Sequence, residues 1–115
     1  MRERAAIGAI RTIHTVEVMY RSQYRKYATS LPQLGPPTRG PSSAAAADLM
    51  EITLARGEKG GYRFNLKPDG DGYVITAEPV TFGVTGLRSF YSDQNMVIRQ
   101  NFGPEPATAN SREMK

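Results

Sequence analysis

The sequence predicts an α+β fold. The expected arrangement is one long N-terminal helix packed across a small antiparallel sheet of three or four strands, with a second, short helix in the connection. Three observations predict it. Apolar residues recur at helical spacing over 3–27, the period changes to two after Gly60, and a proline-rich stretch that fits neither period lies between them. Helical and strand segments are therefore grouped along the chain instead of alternating. That pattern favours a helix laid on one face of an antiparallel sheet over repeated βαβ units.

The first helix is expected over 3–27. At about 100° per residue, Ala5, Ala6, Ala9, Ile10, Ile13, Val16, Tyr20, Tyr24 and Tyr27 fall in one arc. Ile10, Ile13, Val16, Tyr20 and Tyr24 form its core-facing centre, and Glu17 and Gln23 are polar intruders. Ile7 and Val18 fall nearly opposite, beside Arg11, His14 and Arg25. That second side reads either as solvent-facing or as a contact surface for a neighbouring chain.

The loop 28–43 holds four prolines, each of which fixes φ and removes an N–H donor. Leu31 and Leu34 are expected to pin it to the core. A short helix is expected over 44–57, capped by Ser42 or Ser43 and closed by Gly57 in a left-handed conformation. The sheet is expected over 61–101. "YRFNLK" alternates apolar and polar residues, "PDGDG" is a turn, "YVITAEPV" is a strand that Pro79 ends, and "RSFYS" and "MVIRQ" flank the short loop "DQN". One domain over 1–103 is followed by a flexible tail over 104–115, which is poor in apolar residues.

The chain has 115 residues, enough for one domain with a modest core, and no cysteine, which excludes disulfides and cysteine-ligated metals. Its net charge of +4 is unevenly spread. Residues 1–57 carry eight Lys/Arg against four Asp/Glu, whereas residues 58–115 carry seven of each. The basic N-terminal half reads as a solvated helix face or as a surface for nucleic acid or anionic lipid. No apolar run reaches the roughly 18 residues of a membrane span, and no apolar core follows "MRER" as in a signal peptide.

Catalytic residues are not expected. His14 is the single histidine, no Gly-x-Ser-x-Gly elbow exists, and neither a P-loop nor a Gly-x-Gly-x-x-Gly turn is present. His14 reads as a solvated or interface histidine. Asp69 and Asp71 of "DGDG", with Asp93 from the other hairpin, are candidate calcium ligands; the same residues also suit a plain turn. An EF-hand is excluded, because the chain runs straight into "YVITAE". No other cofactor and no small-molecule substrate is expected.

Several stretches together resemble the soluble part of a type IV pilin or a type II secretion pseudopilin. "AAIGAIRTIHTVEVMYRSQY" is similar to the outer half of the long first pilin helix, and "YATSLPQLGP" to the loop after it. "DLMEITLARGEKGGYRFNLKP" and "GYVITAEPVTFGVTGLRSFYSDQNMVIRQN" are similar to the short helix and sheet that follow. The likeness covers most of residues 5–102. The family's cleavage site, its apolar N-terminal stretch and the C-terminal disulfide of many pilins are missing from these residues.

The resemblance implies a non-catalytic subunit of a pilus or pseudopilus, assembling head to tail. It implies an apolar segment upstream of this piece that anchors it in the bacterial inner membrane before assembly. The assembled filament would lie at the cell surface or in the periplasm. Other copies and related subunits are the implied partners, meeting Ile7, Arg11, His14 and Val18. The alternative within the family is a minor pilin that captures DNA or another surface ligand through the basic half.

Overall fold

The structure, a computed structural model, describes residues 2–114, with side chains described from Glu3 onward. Met1 and Lys115, the outer limits expected for domain and tail, lie outside the described residues. The fold is α+β: a long N-terminal helix lies on one face of an antiparallel sheet.

Helix α1 spans Arg2–Tyr24. It contains no proline and carries an acid, Glu3, in its first turn and a base, Arg21, in its last, which suits the helix dipole. It ends three residues earlier than expected. Arg25 takes a left-handed φ of 64° while its amide still reaches the Arg21 carbonyl at 2.7 Å. The chain then folds back, and the Glu17 carboxylate accepts the Ala28 amide at 2.7 Å. A polar side chain within the helix thus fixes where the helix stops.

A 3-10 turn over Leu31–Leu34 buries both leucines, as expected. The second helix is far shorter than 44–57: α2 spans only Ile52–Ala55. Amides that a helix would have used internally pair elsewhere. Ala47, Asp48 and Leu49 donate to the carbonyls of Gln33, Gly35 and Leu34 at 2.8–2.9 Å, and Asp48 is left-handed at φ 57°. The expected Ser42 or Ser43 cap is replaced by Glu51, whose side chain makes no capping bond. Gly57 does take the left-handed position after the last turn, at φ 89°.

Among the described residues the sheet has six strands, not three or four: β1 Glu58–Lys59, β2 Tyr62–Asp69, β3 Gly72–Pro79, β4 Arg88–Asp93, β5 Arg99–Phe102 and β6 Arg112–Glu113. Each pairs antiparallel with the next in sequence. The two extra strands are two-residue pairs at the sheet's edges, too short to show a period. The tail is therefore not free along its whole length. Its β6 pairs with β5, Met114 donates to the Ile98 carbonyl at 2.8 Å, and Ala107 is buried.

In the β2–β3 hairpin, Asp69 faces Gly72 across a two-residue turn whose first residue, Gly70, has φ 57°, as this hairpin class requires. Alternation puts Tyr62, Phe64 and Leu66 beneath α1 and leaves Arg63, Asn65 and Lys67 exposed. Tyr73, Ile75, Ala77 and Phe90 continue the buried face across β3 and β4.

Candidate interaction surface and the polar cluster beneath it

The face of α1 that meets the sheet holds more than the apolar arc. Ile10, Ile13, Val16 and Tyr20 are buried as expected, while Tyr24 is half-buried against the core. Glu3, His14 and Glu17 are buried with them. Each has a tertiary partner that hydropathy cannot register.

Glu3 ties the start of α1 to β4. Its carboxylate accepts the Leu87 amide at 2.7 Å and the Arg88 Nε at 3.0 Å. Burial pushes its pKa up, but the Leu87 amide and the Arg88 guanidinium outweigh that, and the net shift is downward. The Arg88 guanidinium also lies over the Phe90 and Phe102 rings, at 5.1 and 5.4 Å.

His14 corrects the expectation of a partner-facing residue. It is buried between α1 and the sheet, with Nδ1 2.6 Å from the Tyr73 hydroxyl and Nε2 2.7 Å from Ser92 Oγ. The directions of these bonds follow from proton count. Ser92 donates its own proton to the Val97 carbonyl at 2.9 Å, so it accepts from His14, which must carry its proton on Nε2. Nδ1 then accepts from Tyr73. One neutral tautomer satisfies the whole chain. Burial lowers the His14 pKa, with Asp93 opposing, so the neutral ring is the stable form. Ser92 sits at a distance that a serine–histidine pair would use, but it is fully buried and its hydroxyl is committed to Val97. The geometry offers no accessible nucleophile there.

Glu17 is fully buried; one oxygen holds the Ala28 amide and Oε2 has no partner. Burial raises its pKa to about 7, with the Ala28 bond opposing.

Above this cluster lies an open groove of about 690 Å³. Val18 and Met19 of α1 form one wall. Met96, Val97 and Ile98 from the β4–β5 connection form the other, with Glu113 and Met114 closing it from the edge strand. Arg11 stands at its rim and His14 at its floor. Val18 and Met19 are each 47% exposed and Met96 is 50% exposed, which is high for apolar side chains grouped around one hollow. Of the four residues expected to face a partner, Val18 and Arg11 are therefore exposed at the groove. Ile7 is half-buried against the core, and His14 lies beneath.

A second apolar patch was not expected from the sequence. Phe82, Val84 and Leu87 are 45%, 71% and 54% exposed, and Phe102 is 67% exposed. The Gly103 amide donates to the Leu87 carbonyl at 3.1 Å, so Phe102 and the 80–87 loop adjoin. Four large apolar residues among the glycines and threonines of "PVTFGVTGL" were the available signal, since a loop with no buried face has no packing reason to carry them.

The three candidate calcium ligands take ordinary turn roles. Asp69 and Asp71 flank Gly70 on the exposed hairpin, and the Asp93 carboxylate accepts the Asn95 amide at 2.9 Å. Among the described residues no three His, Cys, Asp or Glu side chains converge as a metal site. Both acids of α1 are buried, whereas Arg4, Arg11, Arg21 and Arg25 are exposed. Arg21 also covers the Tyr27 ring at 5.2 Å. No helix of the described residues is long and apolar enough to cross a membrane. No known protein family, curated protein or solved structure matches the chain.

Proposed function

We propose that this chain is a non-catalytic structural subunit of a pilin-like filament, of the type IV pilus or type II secretion class. The observation that carries the reading is the two-sided use of α1. One side is tied to the sheet by apolar packing and by Glu3 and His14, and to the returning chain by Glu17. The other side leaves Val18 and Met19 open beside an apolar groove. What calls for a partner is that these side chains are contiguous with exposed Met96 around one hollow, not scattered singly. Partners are further copies and related subunits, held at the inner membrane by an upstream apolar segment before assembly and in a surface or periplasmic filament afterwards.

The test is to locate the chain in its native bacterium. Antibody labelling along sheared filaments, together with an upstream coding segment of about 20 apolar residues, is the expected result. Labelling confined to a non-filamentous fraction overturns the reading. The 115-residue chain itself is expected to sediment as a monomer or a weak associate.

A second reading, a minor pilin that captures DNA, is favoured by one specific observation: every described exposed charge on α1 is an arginine. Titration of duplex DNA at low salt tests it, and no measurable binding removes it.

A further inference from the structure

Among the described residues two apolar surfaces remain unpartnered, and they differ in shape. One is the groove between α1 and the β4–β5 connection. The other is the projecting 80–87 loop, tipped by Phe82, Val84 and Leu87 and extended by Phe102. They flank opposite ends of β4: the loop leads into Arg88, and Met96–Ile98 follow Asp93. Six residues of strand set those ends about 17 Å apart, in a molecule whose extents are 41 × 26 × 18 Å. One copy cannot cover its own groove with its own loop.

We infer that the 80–87 loop of one copy seats in the Val18–Met19–Met96 groove of the next. This inference rests on the filament reading and names its contact. Charge supports a second copy as the occupant. Exposed Glu78 stands at the base of the loop. The Glu105 carboxylate lies beside Gly103, next to Phe102: a Cβ at Gly103 would be 3.2 Å from it. Across the contact, Arg11 borders the groove, with Arg21 and Arg25 exposed farther along α1. The one acid at the groove, Glu113, is already paired with Arg99 at 3.7 Å. The loop thus carries apolar tips beside Glu105 and beside Glu78, which faces Arg63 across the β2–β3 ladder, and the groove carries apolar walls with Arg11 at its rim. A membrane or a small apolar ligand would account for one surface and leave the other exposed. A second copy covers both. Because the two patches are different, the contact is heterologous and repeats without closing.

The chain lacks cysteine, so disulfide trapping can read this contact directly. Val84→Cys and Met19→Cys are placed at exposed positions, with exposed Lys67→Cys on the far sheet face as control. Circular dichroism of each variant confirms that it folds. Under a mild copper oxidant, the double variant V84C/M19C is expected to give a ladder of multimers. An equimolar mixture of the two single variants should give a crossed dimer faster than either single variant dimerises alone. Faster self-pairing of either single variant overturns the heterologous contact. Concentration-dependent association in sedimentation without 84–19 crosslinks, or crosslinking no faster than at Lys67→Cys, overturns this contact and leaves the filament reading standing. Binding of the loop to anionic phospholipid vesicles, with no crossed dimer, assigns the patch to a membrane and likewise overturns it. Filaments in the native bacterium in which these two positions do not crosslink separate the failure of the contact from failure of the filament reading.

Discussion

A carboxyl group with a pKa of about 7 changes charge within the physiological range, and Glu17 carries one in a fully buried position. Its folded pKa lies above the unfolded value of 4.5. Below the unfolded value the group is neutral in both states and costs nothing as a charge. The cost grows as pH rises through that window and is complete above the folded value. Glu17→Gln is therefore expected to stabilise the protein by about 2 kcal/mol near pH 8. The gain should vanish toward about pH 4, as read from urea midpoints across pH. His14 slopes the other way. Its folded pKa is lowered, so its contribution is present above the unfolded value of about 6.5 and is lost as pH falls through the folded one. Nitrogen-15 shifts should show the Nε2–H tautomer at neutral pH. His14→Gln should lose about 2 kcal/mol near pH 8, because Tyr73 and Ser92 lose a matched partner. It should also show a shallower loss of stability on acidification than the parent chain.

Tertiary hydrogen bonds mark two helix limits: the Ala28 amide bonds to Glu17 just past α1, and Ala47, Asp48 and Leu49 pair with the 3-10 turn ahead of α2. Arg25 holds a left-handed conformation that glycine adopts freely. Arg25→Gly is expected to raise the unfolding free energy by about 1 kcal/mol, measured by chemical denaturation, without moving the end of α1. Gly86 is required for space: a Cβ there would lie 2.1 Å from the Tyr62 hydroxyl oxygen. That hydroxyl donates to the Arg88 carbonyl at 2.7 Å. Gly86→Ala should cost about 1–3 kcal/mol through displacement of this ring, visible as a lowered melting midpoint. The alternating strands β2 and β3, the helical period of α1 and the "PDGDG" turn were legible in the sequence, because each is written in local spacing. The reduction of the 44–57 helix to Ile52–Ala55 and the β5–β6 pairing were not. Both depend on carbonyls, those of Gln33–Gly35 and of Ile98, that are distant in sequence and invisible to a window.

Across the whole molecule, charge is sorted by burial. Glu3 and Glu17 are withdrawn from the surface of α1, and the arginines are left outside. The chain's +4 therefore understates how basic that side is. Four arginines bound the DNA reading. If Arg4, Arg11, Arg21 and Arg25 all met phosphate, the logarithm of affinity would fall against the logarithm of salt with a slope of about −3.6 at most. A steeper slope in a fluorescence titration would mean that other parts of the surface are engaged. The groove and the loop show the same sorting among apolar residues, since Met96 and Val84 both stay exposed among the described residues.

The sequence by itself determined that an N-terminal helix precedes an antiparallel sheet, and which strand residues face inward, because 3.6-fold and two-fold periods are local properties of the backbone. Only the tertiary structure decided how α1 is used. Glu3, His14 and Glu17 look like solvent-facing groups to any hydropathy scale. Their burial depends on Leu87 and Arg88, on Tyr73 and Ser92, and on the Ala28 amide, and folding alone brings those partners within reach. For the same reason the expected partner face separated into an exposed half, Arg11 and Val18, and a covered half, Ile7 and His14. A helical wheel gives the direction of a side chain, but it does not give the width of the sheet that lies beneath it.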